Sequence, residues 1–179
     1  MHEEIICAGF GGQGIMLMGK IIAEAGKRGG YNVTWLPSYG AEVRGGTAHS
    51  MVHISSENIA SPTVSKPTTC VVMNKPSFSK FIPKIKKDGL LIVNSSMVDE
   101  IVEDKALRIA AIPLTKLAVE LGNIKVANMI AVGAFARLKN TISLENILNA
   151  LEKTLPLKKS IISVNKEAVN LGYNTVKKE

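Results

Sequence analysis

The stretch Gly9-Phe10-Gly11-Gly12-Gln13-Gly14 is the sequence feature around which this chain is organised. Residues 4–8 before it are apolar enough to form a short buried strand, and residues 15–27 after it carry an apolar stripe at helical spacing. A strand, a glycine turn and a helix in this order present backbone N–H groups to an anion at the start of the helix. The first, third and sixth residues of the stretch fit G-x-G-x-x-G. This pattern is a weak signal by itself, because glycines also serve helix–strand packing without a ligand.

The composition is that of a globular protein. The chain has 179 residues, of which 46% are hydrophobic and 21% charged, which suits one domain spanning residues 1–179. The net charge of +7 favours anionic partners such as phosphorylated cofactors. Aromatic residues make up only 4% of the chain, which argues against a stacking platform for nucleic acid.

The two cysteines, Cys7 and Cys70, both lie in apolar runs that read as strands. No C-x-x-C spacing exists, so we expect neither a four-cysteine zinc site nor an iron–sulfur cluster in this chain. The sequence has no signal peptide and no apolar run as long as a membrane helix. We therefore expect a cytoplasmic protein with both thiols in its core and no membrane partner.

Strands and helices are predicted to alternate along the chain. The pair Gly29-Gly30 ends the first helix, and residues 31–36 form a second strand that Pro37 should stop. A strand–helix–strand unit of this length makes the first two strands parallel. Further strands are predicted at residues 51–55, 68–73, 90–94 and 107–112, with a helix after Asn74 that Pro83 should either kink or end early.

The last third of the chain is predicted to be helical. The helices cover residues 115–122, 126–138, 143–155 and 158–171, and Gly172 should end the last one. The helix at 126–138 is apolar all round, so it is buried in the core or at an interface. The fold class is therefore α/β: a mostly parallel sheet with helices on both faces, a Rossmann-like start and a helical carboxyl-terminal part.

The segment after the second strand is the other candidate binding element. A dinucleotide site would want an acid at the end of that strand, and none occurs before Glu42, which is evidence against ordinary NAD binding. The glycine-rich loop instead carries Tyr39 and Arg44. Arg44 either contacts a ligand or only forms an ion pair with Glu42. His49 and His53 share one face of the next strand, but no third ligand is evident, so no metal site is expected.

Four segments together resemble the γ subunit of 2-oxoacid:ferredoxin oxidoreductases. They are G-F-G-G-Q-G-I, W-L-P-S-Y-G-A-E-V-R-G-G-T-A, M-N-K-P-S and G-L-L-I-V-N-S-S, in this order. The second segment is the most specific of the four, and its form is most similar to the 2-oxoglutarate-type branch. The resemblance covers most of the chain.

The resemblance implies a subunit that has no catalytic residues of its own and is not active alone. Thiamine diphosphate and iron–sulfur clusters would lie on partner subunits, and the complex would deliver electrons to ferredoxin. This subunit would support coenzyme A binding and assembly in the oxidative decarboxylation of a 2-oxoacid to an acyl-CoA. The expected cofactor-binding residues are Gly9, Gly11, Gly12, Gln13, Gly14, Tyr39 and Arg44.

Two other functions fit the same residues. The chain could be a freestanding nucleotide-binding or regulatory module that uses the glycine turn. It could also be a purely structural γ subunit whose glycines only pack. The missing ribose-binding acid and the loop from Pro37 to Gly46 favour the oxidoreductase subunit.

Overall fold

A computed structural model describes residues 1–39, 47–99, 106–155 and 159–177. These residues form one six-stranded sheet in the order β2-β3-β1-β4-β5-β6. The strands are β1 His2–Phe10, β2 Asn32–Tyr39, β3 Thr47–Ser55, β4 Thr69–Val72, β5 Gly89–Asn94 and β6 Leu107–Ile112. The helices are α1 Ile15–Arg28, α2 Lys75–Phe81, α3 Leu114–Glu120, α4 Ala127–Lys139, α5 Leu144–Thr154 and α6 Lys159–Thr175.

The sheet is mostly parallel, as the alternation of strands and helices predicted. Strand β4 pairs with β1, β5 with β4, and β6 with β5, all in parallel register. On the other side of β1, strand β3 pairs antiparallel with both β1 and β2. Strands β1 and β2 therefore point the same way, as predicted, but β3 lies between them and separates them by two strand spacings.

The prediction that Pro37 stops the second strand is wrong. Strand β2 continues through Pro37 to Tyr39, and Pro37 lies opposite Ser50 of β3. Proline lacks the N–H that a central strand needs, but an edge strand pairs on one side only. Because β2 is the edge strand, one of its two sides has no partner strand. The missing N–H of Pro37 breaks no hydrogen-bond ladder on that side.

Two cores lie on opposite faces of the sheet. The larger core lies under α1, α3, α4, α5 and α6, and the smaller one lies under α2 and the neighbouring loops. As predicted, Pro83 ends α2 early, in a 3-10 turn over Ile82–Lys84. Both cysteines are free core residues, also as predicted: Cys7 belongs to the larger core and Cys70 to the smaller. Burial raises the pKa of the Cys7 thiol to about 12.

Helix α4 is the central element of the helical layer. Every residue from Ala127 to Ala136 is buried, and α6, α3 and α5 all pack against it. The sequence predicted that this apolar helix is buried either in the core or at an interface. The structure shows that it is buried in the core of the chain itself. An apolar helix needs neighbours on all sides, and the chain supplies them.

Gly172 does not end α6, contrary to the prediction, because the helix continues to Thr175. A Cβ atom at Gly172 would lie 1.9 Å from the Ile130 carbonyl oxygen of α4. A Cβ atom at Gly133 would likewise lie 1.9 Å from the Val169 carbonyl oxygen of α6. The two glycines face each other's helix and let the two backbones approach more closely than any side chain would allow.

No helix in these described ranges is both long and apolar enough to cross a membrane.

We expect Gly172→Ala to lower the free energy of unfolding by about 1–3 kcal/mol, because the added methyl group forces α4 and α6 apart. The higher helix propensity of alanine, worth about 1 kcal/mol, offsets part of this loss. Ser163→Ala is the matched control, since Ser163 is exposed on the same helix and should change stability by less than about 0.5 kcal/mol. Urea unfolding followed by circular dichroism measures both. Equal stability of the two variants would contradict the close contact.

Candidate functional site

The glycine turn connects the carboxyl end of β1 to the amino end of α1. Gly14 is the N-cap of α1 with φ of 71°, and Gly12 has φ of 99°. Both angles lie in the left-handed region that side chains disfavour. No side chain caps α1, and its first turn carries no acidic residue. The positive end of the helix dipole therefore remains available to an anion.

The glycines of the turn have two different surroundings. A Cβ atom at Gly9 would lie 2.5 Å from Oε1 of Gln13, and one at Gly14 would lie 2.2 Å from Nδ2 of Asn128. A Cβ atom at Gly11 or Gly12 would meet nothing within 4 Å. Gly9 and Gly14 are thus required by packing, whereas Gly11 and Gly12 leave open space above the turn.

Gln13 holds the turn from inside. Its Oε1 accepts a hydrogen bond from the Phe10 amide at 3.0 Å, and its Nε2 donates to the Met73 carbonyl at 3.2 Å. The side-chain amide of Asn74 also donates to Oε1, at 3.4 Å. Gln13 therefore joins the carboxyl ends of β1 and β4. Its expected contact with a cofactor stays a prediction.

A buried asparagine extends this network to β5 and α3. Asn94 ends β5, and its Nδ2 donates to Oγ1 of Thr115 at 2.8 Å and to the Met73 carbonyl at 3.4 Å. Its Oδ1 accepts from the Thr115 amide at 3.3 Å. Sequence reasoning did not single out this residue. Its signal is an asparagine at the end of an apolar strand, where the carboxyl end of the sheet needs polar partners.

Asn128 of α4 reaches the turn from the helical layer. Its Nδ2 donates to the Gly14 carbonyl at 3.1 Å, and the side chain is buried. No local pattern in the sequence pointed to this residue, because 114 positions separate the two partners. The amino end of α1 is therefore fixed by a contact with α4.

A cavity of about 340 Å³, here called the inner pocket, opens beside the turn. Its walls come from the turn, from the segments after β4 and β5, and from the start of α3 and α4. The residues that line it include Gly11, Gly12, Met73, Met97, Ile124 and Lys125. The methionines and Ile124 make the pocket largely apolar, and Lys125 adds a positive charge at its exposed rim.

A second depression of about 380 Å³, here called the Tyr39 groove, lies on the other side of the turn. Gly11, Gly12 and Tyr39 all line it, and Tyr39 is 72% exposed. The structure therefore brings the predicted Tyr39 to the glycine turn. Arg44, with its alternative partner Glu42, lies outside the described residues, so its role stays a prediction.

The position of β2 adds a reason against ordinary dinucleotide binding. In a dinucleotide-binding fold the second strand lies next to the first, so its terminal acid reaches the ribose. Here β3 occupies that place, and β2 is the outer strand. The strand that carries the ribose-binding acid in such folds is therefore not the neighbour of β1 here.

Residues 4–175 match the family described as pyruvate ferredoxin/flavodoxin oxidoreductase. The chain belongs to this family. It is 34% identical over 180 residues to the 2-oxoglutarate synthase subunit KorC of Methanocaldococcus jannaschii, covering 99% of this chain and 95% of KorC. It is 33% identical over 172 residues to the ketoisovalerate oxidoreductase subunit VorA of Methanothermobacter marburgensis. That match covers 96% of this chain but only 36% of VorA, so the chain spans about one third of that relative.

Solved structures of the family share the fold. The γ subunit of a keto/oxoacid ferredoxin oxidoreductase from Geobacter sulfurreducens has a TM-score of 0.83 and 28% identity, with 96% of each chain covered. A 2-oxoglutarate:ferredoxin oxidoreductase from Magnetococcus marinus, with 2-oxoglutarate, coenzyme A and succinyl-CoA bound, has a TM-score of 0.89 and 26% identity. That match covers 99% of this chain and 32% of the Magnetococcus chain. The predicted family and the predicted fold class are both confirmed.

The two kinds of glycine in the turn should respond differently to alanine. Gly9→Ala places a methyl group against Gln13 and Ile15, so we expect the free energy of unfolding to fall by about 1–3 kcal/mol. Gly11→Ala meets no atom and needs no left-handed backbone, so we expect a change within about 1 kcal/mol. Urea unfolding of the two variants measures both values. A loss at Gly11 as large as that at Gly9 would contradict the division into packed and open glycines.

Proposed function

We propose that this chain is the γ subunit of a cytoplasmic 2-oxoacid:ferredoxin oxidoreductase. The assembled enzyme oxidatively decarboxylates a 2-oxoacid to an acyl-CoA and passes the electrons to ferredoxin. Thiamine diphosphate and the iron–sulfur clusters lie on partner subunits. The chain described here contributes a site for the phosphates of coenzyme A at the glycine turn.

The proposed substrate is 2-oxoglutarate. Sequence identity does not separate the 2-oxoglutarate and ketoisovalerate relatives, because the two values differ by one percentage point. The form of the loop around Arg44, which is most similar to the 2-oxoglutarate-type branch, is what supports this substrate.

The observation that carries the coenzyme A site is the open turn at an uncapped helix. Gly11 and Gly12 leave room for a phosphate next to the amino end of α1, where the helix dipole favours an anion by about 0.3–1 kcal/mol. Lys125 adds a full positive charge from the rim of the inner pocket. Arg44 is the second proposed cation, since a guanidinium binds phosphate through two parallel hydrogen bonds.

The two depressions suit the two chemical parts of coenzyme A. The inner pocket is lined by Met73, Met97 and Ile124, so it offers an apolar surface to the pantetheine arm. The Tyr39 groove offers an exposed aromatic ring to the adenine. Gly11 and Gly12 line both depressions, so the phosphates that join the two parts of the cofactor would cross the turn.

The alternative functions make different predictions about partners. An oxidoreductase subunit purifies with chains that carry thiamine diphosphate and the visible absorbance of iron–sulfur clusters. A freestanding nucleotide-binding module purifies with neither. A purely structural γ subunit purifies with the same partner chains, but substitutions at its glycine turn leave the use of coenzyme A unchanged.

Three substitutions in the assembled enzyme test the coenzyme A site. We expect Lys125→Ala, Arg44→Ala and Gly11→Val each to raise the KM for coenzyme A, since each removes a contact or fills the phosphate space. Loss of one charge-assisted hydrogen bond costs about 1.5–3 kcal/mol, which corresponds to a roughly tenfold to hundredfold rise in KM. The KM for the 2-oxoacid should change little, because its pocket lies on partner subunits.

Lys27→Ala is the matched control for lost positive charge. Lys27 is exposed in the last turn of α1, about 20 Å along the helix from the glycine turn, so its loss should leave both KM values unchanged. If the three site variants assemble normally and keep the wild-type KM for coenzyme A, the chain is a structural subunit.

The substrate is tested separately with the same assembled enzyme. We expect kcat/KM to be highest for 2-oxoglutarate when 2-oxoglutarate, 2-oxoisovalerate and pyruvate are compared at saturating coenzyme A. A carboxylate-binding pocket discriminates strongly against substrates that lack the second carboxylate, because its polar groups are then left unpaired. A preference for 2-oxoisovalerate would contradict the assigned substrate while leaving the coenzyme A site unaffected.

A further inference from the structure

Three potential metal ligands meet at the end of β1 that lies opposite the glycine turn. His2 and Glu4 are two positions apart on β1, so their side chains project from the same face of the sheet. The antiparallel register places Glu4 directly opposite His53 of β3. Strand geometry therefore gathers two imidazoles and one carboxylate about 25 Å from the turn.

The ligand atoms are close enough to share one ion. One ligand atom from each of His2, Glu4 and His53 lies within 4.8 Å of the other two. Nε2 of His2 lies 3.9 Å from Oε1 of Glu4, and the rings of His2 and His53 meet edge to face at 5.9 Å. Ligands of a tetrahedral zinc ion are about 3.3 Å apart, so binding requires only a small closing movement. The His2 side chain, which is 52% exposed at the start of β1, is free to make it.

His53 is the observation that points to a ligand. The residue is only 5% exposed, and neither ring nitrogen has a hydrogen-bond partner of normal geometry among the described residues. Buried polar atoms are rarely left without a partner, so this imidazole needs an explanation. An ion bound between His53 and its two neighbours on β1 would supply the missing partner.

Glu4 divides its two oxygens between two neighbours. Oε2 forms an ion pair with Nζ of Lys86, and Oε1 is the oxygen that faces His2. One carboxylate oxygen therefore remains directed toward the two imidazoles. The ammonium group of Lys86 competes with any metal ion for the negative charge of this carboxylate.

We propose that His2, Glu4 and His53 form a binding site for a divalent transition-metal ion of the zinc type. Two imidazole nitrogens and one carboxylate oxygen are typical ligands of Zn²⁺, Co²⁺ and Ni²⁺, whereas Mg²⁺ and Ca²⁺ prefer oxygen alone. Zinc sites with three protein ligands keep their fourth coordination position open. A water molecule would occupy that position here. The bound ion would cross-link β1 to β3 and stabilise the antiparallel part of the sheet.

The sequence pattern places His49 and His53 on one face of β3 and offers no third ligand nearby in the chain. His49 and His53 do share a face of β3, but the ring of His49 packs against Phe81 at 5.3 Å, and His49 is not one of the three ligands. The other two ligands come from β1, about 50 residues away in the chain. Only the register of β1 against β3 brings them to His53.

Titration of the untagged full-length chain with Co²⁺ and Zn²⁺ tests the site. We expect one equivalent of Co²⁺ to produce visible d–d absorbance that Zn²⁺ abolishes, and we expect Zn²⁺ to raise the Tm. Competition against a chromophoric chelator measures the affinity. His53→Gln and His2→Gln should each weaken Zn²⁺ binding by at least about tenfold, which is the effect of losing 1.4 kcal/mol.

Two further variants sharpen the test. His49→Gln is the matched control, since it removes a histidine from the same face of β3 without touching the three ligands, and it should leave the Zn²⁺ affinity unchanged. Lys86→Met removes the competing ammonium group from Glu4, so it should tighten Zn²⁺ binding. Neither expectation depends on the proposed coenzyme A site, which lies at the other end of β1.

Three outcomes would overturn the proposal. The first is the absence of stoichiometric Co²⁺ binding by the folded chain. The second is wild-type affinity in His2→Gln, a variant of a half-exposed residue at the start of β1. The third is a loss of affinity in His2→Gln but not in a folded His53→Gln variant, which would assign the ion to His2 and the terminal amine instead.

Discussion

The carbonyl group of Met73 holds together the binding edge of this protein, which is the carboxyl edge of the sheet with the glycine turn beside it. It accepts hydrogen bonds from the side chains of both Gln13 and Asn94, so it joins the glycine turn to the end of β5. Parallel strands that end at the same level leave polar backbone groups beside a cavity, and each needs a partner. Side chains of the edge itself, those of Gln13 and Asn94, satisfy the Met73 carbonyl. Gly11 and Gly12 take no part in these contacts and face open space.

The helical layer and the binding edge are coupled through one asparagine. Asn128 of α4 binds the Gly14 carbonyl, and α4 in turn is held by the contact of Gly133 and Gly172 with the neighbouring backbone. The amino end of α1 is therefore fixed by α4, whose own position depends on its packing against α6. The close packing of these helices stabilises the fold, and it thus also sets the geometry of the proposed phosphate site.

The molecule separates its proposed sites along β1. The carboxyl end of the strand leads into the turn, and its amino end carries His2 and Glu4. Both locations follow from the same fact, that β1 is central and pairs with a parallel strand on one side and an antiparallel strand on the other. The antiparallel neighbour β3 excludes a ribose-binding strand from the first site and supplies His53 to the second.

The amino-acid sequence was sufficient to predict most of the local elements. The periods of the apolar residues predicted the strands and helices, the burial of α4 and the two core cysteines, and four sequence segments together predicted the family. Local patterns depend on residues that are close together in the chain, so the sequence alone predicts the elements that they form. Three features could be seen only in the folded chain: the position of β3 between β1 and β2, the continuation of α6 past Gly172 and the contact of Asn128 with the turn. Each of these depends on the register or close approach of segments far apart in the chain, and no local period records such a contact.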